Sequence, residues 1–293
     1  RFPKRAVAFG ADANLTHTSF VAERTIEYLR GRAAAGGPFL CIAGFYSPHS
    51  PWVAPQEFID LYDPQALSLP HFPEQVEARR SESAFSDREL RAARQGYYAM
   101  VSEVDHHVGQ ILDHLDLLGL GDNTIVIFTS DHGEWLGEHL RYGKGHPGHD
   151  CVSRVPFLIR WPEGITQPGS AHDLVEAVDV VPTLLECAGI PVPGTLQGRS
   201  FAPRLLERDP TSYVSRQSAL TEGHGWKTLR LPNARYVVEA DGCEALHDLE
   251  ADPGAYDDCA ADPAYAETLS LARQTLLRRL IERERPHARV WPY

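Results

Sequence analysis

Asn123-Thr124-Ile125-Val126-Ile127-Phe128-Thr129-Ser130-Asp131-His132-Gly133 is the stretch that decides the fold. Residues 124–129 are β-branched or apolar and carry no charge, the composition of a strand buried on both faces inside a parallel sheet. The run stops at Ser130, and a carboxylate and an imidazole follow directly. Open α/β sheets take their ligands in the crevice beyond the carboxyl ends of the strands. Asp131 and His132 therefore stand where a site is expected, and together they suit a metal ion. Gly133 lets the chain turn sharply away. A plainer reading has Asp131 capping the next helix and His132 on a surface loop; for Asp-His-Gly alone the two readings stand level.

Outward from this strand, residues 39–46 and 155–161 are apolar enough to be two more buried strands. Residues 15–30 fit a helix, with Thr16, Thr18 or Ser19 as its cap. Ser86-Asp87-Arg88-Glu89 is a capping box, and the helix it opens places Tyr97, Met100, Val104, Ile111 and Leu115 on one face. Asp105, His106 and His107 on that helix suggest a metal, but at least two of them read as a solvated face. Residues 55–83, rich in proline and charge, form a surface excursion. Asp179 is expected to cap a helix with Pro182 in its first turn. After about Leu206 the composition changes. Residues 226–231, 235–240 and 244–249 read as short strands, with an Asp241-Gly242 hairpin turn, followed by an amphipathic helix on Tyr265, Leu269, Ala272, Leu276 and Leu280. The expected fold class is α/β, a mostly parallel sheet flanked by helices, with a small C-terminal antiparallel sheet plus helix. The domains are 1–206 and 207–293.

The loop Ser47-Pro48-His49-Ser50-Pro51 leaves a strand end, and its prolines stiffen the backbone around His49. Lys144 lies between Gly143 and Gly145, which allow backbone and ammonium to approach a ligand closely. His146 and His149 follow; either lines a substrate pocket or lies on the surface.

A net charge of −12 argues against a nucleic-acid scaffold, which needs a basic face. It still permits a small anionic substrate, because a metal and a few local cations reverse the sign inside a pocket. No stretch is long and apolar enough to span a membrane. Cys41, Cys151, Cys187, Cys243 and Cys259 show neither CxxC nor zinc spacing, and Cys41 and Cys187 are expected as buried thiols. A soluble protein is expected; the compartment is left between cytoplasmic, which is preferred, and secreted or periplasmic. The oligomeric state is unknown.

Seven short motifs follow one another in order: Ser47-Pro48-His49-Ser50-Pro51-Trp52, Tyr97-Tyr98-Ala99-Met100-Val101-Ser102-Glu103-Val104-Asp105, Ser130-Asp131-His132-Gly133, Leu136-Gly137-Glu138-His139, Gly143-Lys144-Gly145, Arg154-Val155-Pro156-Phe157 and Val178-Asp179-Val180-Val181-Pro182-Thr183-Leu184-Leu185. In this order they resemble the sulfatase family of the alkaline-phosphatase superfamily, over about residues 15–252. The resemblance implies an alkaline-phosphatase-like fold and a metal-dependent sulfuric ester hydrolase acting on a small sulfated substrate. Asp131 and His132 would be metal ligands. His49 and Lys144 would bind the sulfate and serve catalysis, and His146 is a candidate for substrate binding.

The family's nucleophile motif, Cys/Ser-x-Pro-x-Arg with a formylglycine in sulfatases, has no match here, nor do its early paired aspartates. Cys151-Val152-Ser153-Arg154 is only a decoy for it. The chain is therefore read as the C-terminal portion of a longer enzyme, with an upstream segment as a candidate partner. Calcium (Ca2+) suits an all-oxygen site and is the ion the resemblance implies; His132 shifts the preference towards Mn2+ or another divalent transition metal, which are the alternatives. The alternatives to sulfate-ester hydrolysis are a phosphonate monoester hydrolase or phosphodiesterase acting on a phosphorylated substrate, and a non-catalytic fragment with a binding or assembly role.

Overall fold

Of the chain, the computed structural model describes residues 4–80, 85–165, 168–206 and 213–284. Its helices are α1 (His17–Ala35), α2 (Gln56–Ile59), α3 (Glu74–Arg80), α4 (Asp87–Leu117), α5 (Asp150–Ser153), α6 (Val180–Cys187), α7 (Ala202–Leu206) and α8 (Ala266–Arg283). Its strands are β1 (Val7–Ala8), β2 (Val53–Ala54), β3 (Val126–Thr129), β4 (Phe157–Arg160), β5 (Ala219–Gly223), β6 (Trp226–Arg230), β7 (Ala234–Glu239) and β8 (Glu244–Asp248). The fold is α/β with a small C-terminal antiparallel sheet. No helix among the described residues is long and apolar enough to cross a membrane.

The chain forms two compact units. One comprises Arg1–Phe128, Glu134–Gly143 and Phe157–Gly164; the other comprises Thr129–Gly133, Lys144–Pro156 and Ile165–Tyr293. In the first, α4 begins at the expected capping box. Ser86 Oγ accepts from the Glu89 N–H at 3.3 Å, and Glu89 Oε2 accepts from the Ser86 N–H at 3.1 Å. Helix α1 is capped by Thr16, whose Oγ1 accepts from the Ser19 N–H. The core packs Trp52, Ala54 and Ile59 against Ala93, Ala99 and Met100 of α4. A Cβ at Gly96 would lie 2.9 Å from Ala6 Cα and Trp52 Cβ, so glycine is what lets α4 approach the parallel β1–β2 pair. The excursion at 55–83 carries α2 and α3, and its residues 81–83 lie outside the described ones.

The structure departs from several expectations drawn from composition. Residues 39–46 form no strand, and Leu40 and Ile42 are 75% and 85% exposed. Strand β3 begins at Val126 and is not buried on both faces: Val126 and Ile127 are half-buried, Phe128 and Thr129 exposed. The reason is shared. Among the described residues β3 pairs with β4 alone and the run at 39–46 pairs with no strand, so neither sits inside the wide parallel sheet that would bury an apolar run. Cys41 is consequently exposed, and Cys187 is only half-buried. Asp179 stands at the start of α6 but makes no cap bond with its side chain. Buried, it accepts instead from the Glu176 and Arg199 N–H groups at 3.0 and 2.7 Å and from Arg216 Nε at 2.8 Å.

In the second unit, β5, β6, β7 and β8 form an antiparallel meander in sequence order. Strand β5 was not foreseen; its Ala219-Leu220-Thr221-Glu222-Gly223 lacks the alternation that marks the others. The cross-strand partners Leu229, Tyr236 and Leu246 meet Leu269, Ala272 and Leu276 of α8, spaced as expected. Gly242, at φ +91°, supplies the left-handed residue of the β7–β8 hairpin.

Candidate active site

The turn after β3 is held by its own short bonds. Ser130 Oγ donates to the His132 carbonyl at 2.9 Å, and the His132 N–H donates to Asp131 Oδ1 at 2.9 Å. His132 Nδ1 lies 2.8 Å from the Gly133 carbonyl. A carbonyl only accepts, so Nδ1 carries the proton and Nε2 presents its lone pair. That nitrogen is 2.7 Å from Lys144 Nζ, which donates to it, and 3.5 Å from Asp131 Oδ2. A carboxylate, an imidazole lone pair and an ammonium thus converge on one point. Asp131 is 84% exposed, so a ligand has direct access to this group.

Gly133 has a different reason from the sharp turn expected of it. Its N–H donates to the Val152 carbonyl at 2.6 Å, and a Cβ there would overlap the Cys151 carbonyl oxygen. Glycine is required by the close approach of the segment that runs into α5. Lys144 is flanked by Gly143 and Gly145 at φ +91° and +102°, conformations that resist a side chain, as its position between two glycines implied.

The other sequence-assigned residues divide. His49 is exposed, and its Nδ1 lies 2.8 Å from the Ser50 carbonyl and 2.9 Å from Tyr46 Oη, so Nε2 carries the lone pair and has no hydrogen bond among the described residues. It belongs to the first unit, whereas Asp131, His132, Lys144 and His146 belong to the second. His146 does not join the Asp131–His132–Lys144 convergence; its Nε2 meets Glu239 Oε1 at 3.0 Å. His149 is buried and structural. It caps α5 through the Cys151 N–H at 3.3 Å and donates from Nε2 to the Gly254 carbonyl at 2.9 Å. Asp105, His106 and His107 lie outside the core, as read.

Sequence reasoning missed a charge cluster at the start of α5. Asp150, the first residue of α5, receives Arg235 Nη2 at 2.6 Å and Arg230 Nε at 3.5 Å. Burial would raise the Asp150 pKa, but Arg235 and then Arg230 outweigh it and hold the carboxyl below its usual range. Arg235 is 1% exposed, and its Nε and Nη1 have no hydrogen-bond partner among the described residues. The only hint in the sequence was an arginine in an otherwise apolar strand.

One carboxylate and one correctly tautomerised imidazole fit part of a metal coordination sphere. Among the described residues no group of three or more acidic, histidine or cysteine side chains could complete one. The pair is therefore a partial ligand set, suited to a divalent cation that takes further donors elsewhere.

Residues 9–190 match the family model described as Sulfatase, and residues 137–283 match that described as N-sulphoglucosamine sulphohydrolase, C-terminal. The chain is 29% identical to an arylsulfatase of Clostridium perfringens, over 94% of this chain and 60% of that protein. It is 30% identical to the multifunctional alkaline phosphatase superfamily protein PehA of Trinickia caryophylli, over 85% of this chain and 56% of that protein. Among solved structures it resembles the phosphonate monoester hydrolase of Agrobacterium radiobacter, with a TM-score of 0.82, 26% identity, and coverage of 94% and 63% of the two chains. The chain spans little more than half the length of these relatives.

Proposed function

The chain belongs to the sulfatase family, and on that premise we propose that the full-length protein hydrolyses sulfate esters at a site to which this chain contributes Asp131, His132 and Lys144. The observation that carries the reading is the convergence of Asp131 Oδ2 and Lys144 Nζ on His132 Nε2. A sulfate ester resists hydrolysis because its oxygens repel a nucleophile and its alkoxide leaves poorly. What a divalent cation held by Asp131 and His132 supplies is Lewis acidity towards a non-bridging oxygen. Lys144 binds a further sulfate oxygen and gives a proton to the departing oxygen as the sulfur–oxygen bond breaks. His49, with Nε2 open among the described residues, is proposed as a sulfate-binding group on the resemblance of its Pro48-His49-Ser50-Pro51 loop alone. No nucleophile is assigned among residues 1–293.

Calcium is the ion proposed, with Mn2+ as the alternative that His132 favours. A second reading, hydrolysis of phosphonate monoesters or phosphodiesters, draws on the same imidazole and on the likeness to a phosphonate monoester hydrolase. Initial rates of the full-length protein on 4-nitrophenyl sulfate, a 4-nitrophenyl phosphonate monoester and an aryl phosphodiester, each with Ca2+ and with Mn2+, test the choice. The sulfate should give the highest kcat/KM. A phosphonate or phosphodiester hydrolysed faster than the sulfate overturns the first reading in favour of the second.

A further inference from the structure

Two residues beyond Lys144, at most about 7 Å of extended chain, His146 enters a group that the hydrolysis itself does not use. Residues 145–148 close a turn in which the Gly148 N–H donates to the Gly145 carbonyl at 3.0 Å. Thr228 Oγ1 of β6 donates to the Pro147 carbonyl and ties that turn to the C-terminal sheet. Trp226, at the start of β6, lies against two glycines. A Cβ at Gly148 would stand 3.0 Å from its Cζ3, and one at Gly223, its cross-strand partner, would overlap the ring. The indole therefore occupies a slot that only glycines leave open. His146 meets it edge-on, with ring centroids 5.6 Å apart at 81°. Glu239, the partner of Trp226 on β7, holds His146 Nε2 at 3.0 Å through Oε1.

Three observations show what this group can recognise. The His146 and Glu239 side chains are 40% and 44% exposed, and Trp226 is half-buried, so all three are within reach of a ligand. Glu239 Oε2 and Trp226 Nε1 have no hydrogen bond among the described residues. Glu239 has no arginine or lysine partner among them either, whereas nearby Glu222 is paired with both Lys227 and Arg283. An indole face takes an apolar ring face, its N–H gives to a hydroxyl, and an open carboxylate oxygen accepts from a hydroxyl or an amine. A sugar ring has an apolar face and a hydroxylated edge; a simple aryl group would leave Glu239 unused. A carboxylate with no arginine or lysine partner disfavours a polyanion.

We infer that Trp226, His146 and Glu239 form the subsite for the alcohol part of the ester, and that this alcohol is a neutral or amino sugar. The inference rests on the reading of Lys144 as the group that holds the sulfate end. It is tested in the full-length protein by kcat/KM on glucosamine 6-sulfate and on 4-nitrophenyl sulfate for wild type, Trp226→Ala and the isosteric Glu239→Gln. The sugar-to-aryl ratio of kcat/KM falls at least tenfold in both variants, through KM. A ratio within twofold of wild type in both overturns the subsite.

Saturation-transfer NMR with unsulfated methyl glucosaminide separates the subsite from the chemistry. Binding by wild type that is weakened in both variants supports the subsite, even if the full-length protein releases no sulfate from either ester and the hydrolase reading fails. No binding by wild type overturns the subsite, even if aryl sulfate is hydrolysed. Equal wild-type binding of a sulfated polysaccharide chain overturns the choice of an uncharged or amine-bearing sugar.

Discussion

His132 has one lone pair for two claimants. Its Nδ1 proton is committed to the Gly133 carbonyl, and Nε2 accepts from Lys144. A cation bound at Nε2 must displace that hydrogen bond, which frees the ammonium for an anionic ligand. Lys144→Met should therefore bind Ca2+ or Mn2+ at least as tightly as wild type by titration calorimetry, while kcat in the full-length protein falls by about 10²-fold or more. Weaker cation binding in this variant would contradict the exclusivity. These residues were legible in the sequence because they are close along the chain and share a turn. His149 was not: its partner is the Gly254 carbonyl, 105 positions away, and nothing local distinguishes a buried histidine from a ligand. Trp226 and Glu239 were invisible as a pair for the same reason, since only the β6–β7 register places them opposite each other.

At the scale of elements, the C-terminal sheet is pinned to α5 by charge. Asp150→Asn leaves Arg235 buried without its counter-ion and should lower unfolding stability by about 3 kcal/mol in chemical denaturation at neutral pH. Because the Asp150 carboxyl is held below its usual range, its contribution is present above the unfolded-state pKa and is lost as pH falls through the folded one. The gap between wild type and Asp150→Asn should thus close in acid; a constant gap would remove the electrostatic account.

Glu103 of α4 carries the opposite sign. It is buried, its Oε1 has no hydrogen-bond partner among the described residues, and burial pushes its pKa up against the pull of a Thr16 hydrogen bond. The native state then keeps this proton to higher pH than the unfolded chain, and stability declines as pH rises from the unfolded pKa through the raised one. Glu103→Gln should raise Tm at pH 7 and lose that advantage below about pH 4, where both states are protonated. Helices α1, α4 and α8 were readable because capping and apolar spacing are local signals. The strands at 39–46 and 124–129 were overread because burial is a property of the neighbours a strand finds, which its own composition does not reveal.

At the scale of the molecule, the order of seven weak motifs established the family where no single motif could, and the family models match over the same region. The net charge of −12 sets a general bias against anionic ligands, so an anionic ester depends on local cations at its binding point. Lys144, beside His132, provides one. The claim that this convergence belongs to a metal-dependent hydrolase is tested most directly by one measurement. It is the rate of inorganic sulfate release from an aryl sulfate by the full-length protein, stripped with chelator and then given Ca2+ or Mn2+, for wild type beside Asp131→Ala. The account predicts that added cation restores release by wild type and restores little or none in the variant. Equal release by both, or release indifferent to cation, would contradict it.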